Sequence, residues 1–156
     1  MLGYIKIIFL VITCLIILLT IIKLKWKNLP KDVSGFLLSS LFLTLFLAII
    51  IEIKPHHFFR ITFSISNLIT YLFYFVLVGF YFIKNVKTIF RNKFPLIIST
   101  FTLFGLANTL DLLSDGKLIT FMSSEIAEDI LHNLGIVFWM LFFADYSKRI
   151  RIKYLW

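Results

Sequence analysis

Five long runs of apolar residues, separated by short polar stretches, make up most of this sequence. A helix needs about 20 apolar residues to cross the roughly 30 Å hydrocarbon core of a bilayer, with a usual range of about 17–25. The five runs reach that length, two of them only when their polar ends are included. They predict transmembrane helices at residues 2–22, 33–53, 61–83, 94–113 and 130–146.

The first run has a second interpretation, because an apolar segment at an N-terminus also characterises a secretory signal peptide. A signal peptide carries its positive charge before the apolar region and small residues after it. Here four lysines follow the run, and no A-x-A-like cleavage site is present. We therefore predict that this helix stays in the mature protein, with Lys6 near enough to its end to reach the membrane surface.

Composition and charge support a membrane protein. Hydrophobic residues make up 60% of the 156 residues, more than a soluble domain of this size encloses. The net charge of +8 would suggest nucleic acid as a partner in a soluble protein. Here the basic residues form short clusters between apolar runs, which is the pattern that orients membrane helices. We therefore expect the lipid bilayer as a partner and no nucleic acid.

The distribution of lysine and arginine predicts the orientation. Twelve of the sixteen follow the first, third and fifth runs, and four lie on the other side of the membrane. By the positive-inside rule the N-terminus is outside and the C-terminus is cytoplasmic. The expected fold is an all-α integral membrane helical bundle, N-out/C-in, in one transmembrane domain (1–156). It has an outer acidic loop (114–129) and a basic cytoplasmic tail (147–156), and a bacterial inner membrane is the expected location.

Five of the eight acidic residues lie between residues 108 and 133, on the predicted outer side. Glu125, Glu128, Asp129 and His132 are spaced i, i+3, i+4, i+7, which places them on one helical face. An ionisable side chain at membrane depth costs about 2.5–3.5 kcal/mol and normally faces a partner or a wet cavity. We therefore expect Asp111 and Asp129 to meet polar side chains across the helix contacts, the candidates being His132, Asn67 and Asn108.

This cluster is the candidate functional site. The residues predicted to bind a ligand are Asn67, Asn108, Asp111, Asp115, Asp129, His132 and Asn133. Carboxylate oxygens with an imidazole also form a plausible ligand set for a divalent metal, the one candidate cofactor. The predicted metal ligands are Asp111, Glu125, Glu128, Asp129 and His132. The alternative interpretation is that the acids only stabilise the positive end of a helix dipole, with Ser123 or Ser124 as the cap.

Two further features lie on the predicted outer side. His56 and His57 form a short link that adds candidate ligands or titrates near neutral pH, although interfacial residues are the simpler interpretation. Residues 118–122 are too short to span and are expected to cover the cluster from the interface. Motifs such as H-E-x-x-H, G-x-S-x-G and the P-loop do not occur, so an enzyme has no support from motifs.

Part of the acidic stretch resembles a known class of membrane module. The segment Asp111-Leu-Leu-Ser-Asp115, followed by Glu128-Asp129-Ile-Leu131 and Gly135, is similar to small multi-span sensory modules that precede diguanylate cyclase or histidine kinase domains in prokaryotes. The resemblance covers roughly residues 95–146. It implies that the last helix passes a signal to the cytoplasm. Because no output domain follows before Trp156, it also implies a separate membrane or cytoplasmic signalling partner, or the inner leaflet, for the basic tail.

These observations favour a non-enzymatic sensing or regulatory membrane subunit that detects a cation, pH or a small ligand. Two alternatives remain open. One is an oligomeric ion channel or small transporter, in which a pore forms between copies because five spans do not divide into two equal halves. The other is a metal-dependent membrane enzyme, which requires a bound metal with an open coordination position.

Overall fold

The computed structural model describes residues 2–25, 29–53, 67–92, 94–115 and 124–155, and these residues form five α-helices. All five helices are long and apolar enough to span a membrane, and the predicted all-α class is confirmed. The helices are α1 (Leu2–Lys23), α2 (Lys31–Ile53), α3 (Asn67–Phe90), α4 (Phe94–Asp115) and α5 (Ser124–Leu155).

Local sequence explains where several helices begin and end. After α1, Lys25 adopts a positive φ of 50°, a left-handed conformation that often stops a helix. Pro30 precedes α2, and its carbonyl accepts a hydrogen bond of 2.9 Å from the Ser34 amide, which starts the helical pattern. Pro95 is the second residue of α4, and the first turn is where a helix tolerates proline best.

Two helices extend beyond the predicted spans. α5 begins at Ser124 and ends at Leu155, so it includes the end of the predicted outer loop and nearly all of the predicted tail. α3 continues past residue 83 to Phe90, while residues 61–66 lie outside the described part of the chain. Charged residues mark a membrane boundary, but Glu, Lys and Arg are good helix formers. Without a Gly or Pro after Gly135, nothing in the sequence stops α5.

The helices form a ring in which each packs against its neighbours in the sequence, and α5 closes the ring by packing against α1. Consecutive helices run antiparallel. Because the number of helices in this ring is odd, the first and the last run parallel. Their contacts show this directly, since Lys6 and Thr20 of α1 meet Asp129 and Ser147 of α5 in that order.

Aromatic rings fill the middle of the ring. Trp139 of α5 is fully buried and packs edge-on against Phe143 and Phe101, with ring centroids 4.8 and 5.6 Å away. Phe36 of α2 lies beside Phe143 at 5.9 Å and Tyr81 of α3 at 6.2 Å. The axis of the bundle is therefore a packed core.

Buried hydrogen bonds connect this core across the helices. The Trp139 indole Nε1 donates to Thr44 Oγ1 of α2 at 3.0 Å. The hydroxyls of Ser40 on α2 and Tyr81 on α3 are 2.8 Å apart. Each is a polar group away from water, where an unpaired donor would be costly. The bonds therefore fix the rotation of α2 relative to α3 and α5.

The outer surface of the ring is apolar on every helix. Large side chains that face outwards occur along the whole length of the bundle, among them Leu15, Phe42, Phe75, Leu106 and Leu141. A soluble protein rarely exposes apolar side chains so continuously. The surface is therefore compatible with a multi-pass membrane protein, as the five candidate spans are.

Candidate functional site

The ring places the start of α1, the end of α4 and the start of α5 at one end of the bundle, which we call the acidic end. The opposite end carries the basic residues at the end of α1, of α3 and of α5, and we call it the basic end. Most of the predicted site residues lie at the acidic end on α4 and α5, and the contacts of α5 also bring α1 to this end. The fold thus groups residues that are far apart in the sequence.

An ion pair connects the first and last helices at the acidic end. The Lys6 ammonium donates a hydrogen bond to the Asp129 carboxylate Oδ1. The Lys6 side chain is 8% exposed, and that of Asp129 is 40% exposed. Lys6 was predicted to extend to the membrane surface, and this was wrong: it faces into the bundle because the Asp129 carboxylate lies beside it there. Asp129 was expected to meet His132, Asn67 or Asn108, and the partner found is Lys6.

A second contact joins α3 to α4. The Tyr71 hydroxyl donates a hydrogen bond to the Asp111 carboxylate Oδ2. Tyr71 also packs edge-on against Tyr74, with the ring centroids 5.9 Å apart. Asp111 therefore meets a polar side chain across a helix contact, as expected for an acid at membrane depth. The partner, Tyr71, lies in α3, the helix that begins at Asn67.

A third contact lies within α5 and reaches α4. Glu128 Oε1 is 3.6 Å from His132 Nδ1, an ion pair when the imidazole is protonated. The His132 ring also lies 6.0 Å from the Phe104 ring of α4. Both side chains are mostly buried. The predicted i, i+4 spacing of these two residues thus becomes a direct contact.

Buried polar atoms surround these pairs. The Asn133 amide nitrogen donates to the Asp129 backbone carbonyl at 2.7 Å, which holds this side chain against its own helix. Its Oδ1 atom and the Tyr74 hydroxyl are buried and have no hydrogen-bond partner among the described residues. Asn108 of α4 is partly buried. The acidic end therefore holds more polar groups than its three contacts use.

Several predicted site residues lie where side chains are not described. Asn67 is the first residue of α3, Asp115 is the last residue of α4, and Glu125 is the second residue of α5. The pair His56-His57 and the segment 118–122 lie outside the described residues. Their predicted roles as ligands and as a cover for the cluster therefore remain predictions.

The predicted metal ligands can be assessed in part. Among the described residues, no group of three or more His, Cys, Asp and Glu side chains is arranged to hold a metal ion. Glu125 lies outside that comparison, so the full predicted set remains a prediction. What the structure does show is that an internal cation, the Lys6 ammonium, already neutralises Asp129. A metal ion at Asp129 would have to displace or share this contact.

Sequence reasoning did not find the role of Lys6. Its partner can be predicted only when the helix arrangement is known. In a ring with an odd number of alternating helices, the starts of the first and the last helix lie together. Lys6 is the one charged residue in the apolar run of α1. An ionisable residue in such a run is expected to have a partner.

Comparison with known proteins gives one match. Residues 56–146 match the model of a family described as a domain of unknown function (DUF8692). The match covers more than half of the chain and includes α3, α4 and α5 as far as Tyr146. No curated protein and no solved structure matches the chain.

Proposed function

The chain belongs to the DUF8692 family, and from the contacts of its own side chains we propose that it is a non-enzymatic sensing or regulatory subunit of a cell membrane. The observation that carries this proposal is the Lys6–Asp129 pair, which places a charged contact between the first and last helices inside the bundle. A proton or cation that competes for this contact acts directly on helix packing.

The proposal includes the position of the chain in the membrane. Five spans, with twelve of the sixteen basic residues on one side, favour an N-terminus outside and a C-terminus in the cytoplasm. The acidic end then faces outwards, and the basic end faces the inner leaflet. A bacterial inner membrane suits this arrangement.

The acidic end is the sensing element in this proposal. Each of its three contacts includes a carboxylate, and carboxylates bind protons and divalent cations. Removing one partner of a buried ion pair leaves an uncompensated charge, which costs roughly 3–5 kcal/mol. A signal that neutralises Asp129 therefore weakens the contact between α1 and α5 by enough to favour another packing of the two helices.

α5 is the element that transmits the change. It carries Asp129 and His132 near its start and the basic segment 148–153 at its end, within one uninterrupted helix of 32 residues. At about 1.5 Å per residue this helix is about 48 Å long, enough to reach from one membrane surface to the other. Trp139 anchors its middle in the core. A tilt of α5 at the acidic end therefore moves its basic end, and a cytoplasmic or membrane signalling partner bound there would respond to this movement.

The packed axis favours sensing over conduction through a single copy. Phe36, Trp139 and Phe143 are fully buried in the middle of the ring. A channel or carrier built from this chain would have to form its pathway between copies. The resemblance of residues 95–146 to sensory modules supports the same choice.

Distance measurements between spin labels at the basic end test the proposal. Ile22 of α1 and Ile152 of α5 are both exposed and accept labels in a Cys14→Ser background. We expect the distance distribution of the full chain in lipid to shift on addition of a divalent cation. A distribution that is the same with and without the cation would contradict the proposal.

The matched variant is Lys6→Met/Asp129→Asn, which removes both charges and leaves neither partner unpaired. It should show the resting distance of the parent chain and lose the response. Asp145→Asn removes an acid at the other end of α5 and should retain the response. If Lys6→Met/Asp129→Asn also responds, the pair is not the sensing element.

A further inference from the structure

A cavity of about 290 Å³ lies at the basic end, between the start of α2, the end of α3 and the end of α5. It is partly open to the outside of the bundle. Its charged lining residues are Asp32, Arg91, Arg149 and Lys153, and Tyr146 and Tyr154 also line it. Three cations and one carboxylate thus surround a space of the size of a small-ligand site.

Two of the three cations of this cavity have no carboxylate partner among the described residues. Arg149 Nε contacts Asp145 Oδ2 at 2.8 Å, which orients the guanidinium through one of its donors. Within the described residues, no carboxylate lies within ion-pair distance of Arg91 or Lys153. Like charges gathered around one space repel each other, and an anion that binds between them relieves this repulsion. The cavity therefore has an excess of positive charge and donors for an anion.

The aromatic wall of the cavity is rigid. Tyr146 is buried and packs against Phe36 and Phe142, with ring centroids 5.0 and 5.8 Å away. Lys153 lies 5.4 Å from the centre of the Tyr154 ring. Three helices meet around the cavity, so a ligand in it would hold their ends together. Preorganised groups lose less entropy when a ligand binds.

We propose that this cavity binds a phosphate group, held by Arg91, Arg149 and Lys153. Arginine guanidinium groups match phosphate oxygens with paired hydrogen bonds, and a lysine ammonium adds a point charge. Basic pockets between transmembrane helices bind phospholipid headgroups in this way. A phospholipid headgroup and a soluble phosphate share this chemistry.

The surroundings favour the headgroup as the source of the phosphate. The cavity is partly open at the basic end of a bundle whose outer surface is apolar on every helix, so a lipid beside the bundle can place its headgroup in the cavity. The Asp32 carboxylate repels an anion in the cavity, so removing its charge should strengthen binding. A misfolded variant would bind more weakly, which makes this a test that misfolding cannot imitate.

The experiment is a titration of the full chain in detergent with phosphatidylglycerol, followed by native mass spectrometry. Diacylglycerol with the same acyl chains is the arm without phosphate, and inorganic phosphate is the competitor. Arg91→Gln/Lys153→Gln should bind phosphatidylglycerol about thirtyfold more weakly than the parent chain, as expected for the loss of two basic contacts near an anionic lipid. Lys87→Gln/Lys148→Gln removes the same number of charges from α3 and α5 outside the cavity, and its binding of phosphatidylglycerol should stay within about twofold of the parent chain.

Two results would support the proposal and identify the source. Phosphatidylglycerol that binds in preference to diacylglycerol and is not displaced by millimolar inorganic phosphate indicates a lipid headgroup. Displacement by inorganic phosphate in the parent chain, but not in Arg91→Gln/Lys153→Gln, indicates a soluble phosphate. In either case Asp32→Asn should bind more tightly than the parent chain. Equal binding by the two double variants, or weaker binding by Asp32→Asn, would overturn the proposal.

Discussion

The indole Nε1 of Trp139 donates a hydrogen bond of 3.0 Å to Thr44 Oγ1, and both side chains are fully buried in the middle of the bundle. The Thr44 hydroxyl donates in turn to the Ser40 carbonyl at 2.7 Å, so the acceptor is held in place by its own helix. This bond joins α2 to α5 across the ring. It fixes which face of the longest helix points inwards.

Thr44→Val keeps the shape of the side chain and removes the acceptor. We expect the free energy of unfolding to fall by about 1–2 kcal/mol, because the buried indole N–H is left without a partner. The measurement is reversible unfolding by SDS in mixed micelles, followed by circular dichroism. Thr100→Val is the matched control: Thr100 is equally buried, but among the described residues its hydroxyl bonds only to the Leu96 carbonyl of its own helix. An equal loss in both variants would contradict the role of the interhelical bond.

The Lys6–Asp129 pair predicts an asymmetry between its two single variants. Asp129→Asn leaves the buried Lys6 ammonium without a counter-charge and should lower the free energy of unfolding by roughly 3–5 kcal/mol. Lys6→Met leaves the Asp129 carboxylate without a counter-charge, but this side chain is 40% exposed. The free energy of unfolding should therefore fall by only about 1 kcal/mol or less. The same unfolding titration measures both.

The double variant completes this test. Lys6→Met/Asp129→Asn should recover most of the stability that Asp129→Asn loses, because no unpaired charge remains. If the loss in Asp129→Asn persists in the double variant, the ion pair is not its cause.

Sequence patterns predicted the helices better than their ends. The five apolar runs correspond to the five described helices, since each run is long enough to require a helix in a bilayer. The charged residues after residues 83 and 146 predict the ends of membrane spans, and the helices continue past them to Phe90 and Leu155. A charge marks a membrane boundary, but it does not stop a helix, because lysine and arginine are good helix formers.

The contacts at the acidic end could be predicted from the sequence only where both partners lie on one helix. The spacing of Glu128 and His132 on one helix is readable from sequence and became a contact. The partner of Asp129 was not readable, because it depends on the packing of α1 against α5. A general rule that lysines near a helix end reach the surface gave the wrong direction for Lys6. A pair such as Lys6–Asp129, whose members are far apart in the sequence, can be predicted only when the arrangement of the helices is known.

Gly135 allows α4 and α5 to pack closely. A Cβ atom built on Gly135 would lie 2.7 Å from Cε1 of Phe104, closer than real Cβ atoms approach. Gly135→Ala should therefore lower the free energy of unfolding by about 1–3 kcal/mol, because the Phe104 ring is itself packed. Gly105→Ala on α4 is the control, with no atom within 4 Å of its added Cβ, and should be neutral or stabilising.

A second variant separates crowding from other effects at this position. Phe104→Leu shortens the ring that blocks the new methyl group. Gly135→Ala should cost less in the Phe104→Leu background than in the parent chain. An equal cost in both backgrounds would show that Phe104 is not the obstacle.

The orientation in the membrane gives the last prediction. The side chain of Tyr4 lies at the acidic end and is exposed, and Lys153 lies at the basic end. In a Cys14→Ser background, Tyr4→Cys should react with a membrane-impermeant maleimide added to intact cells. Lys153→Cys should react only after the membrane is permeabilised, because twelve of the sixteen basic residues are expected on the cytoplasmic side. The reverse pattern would place the acidic end, and with it the Lys6–Asp129 pair, on the cytoplasmic side of the membrane.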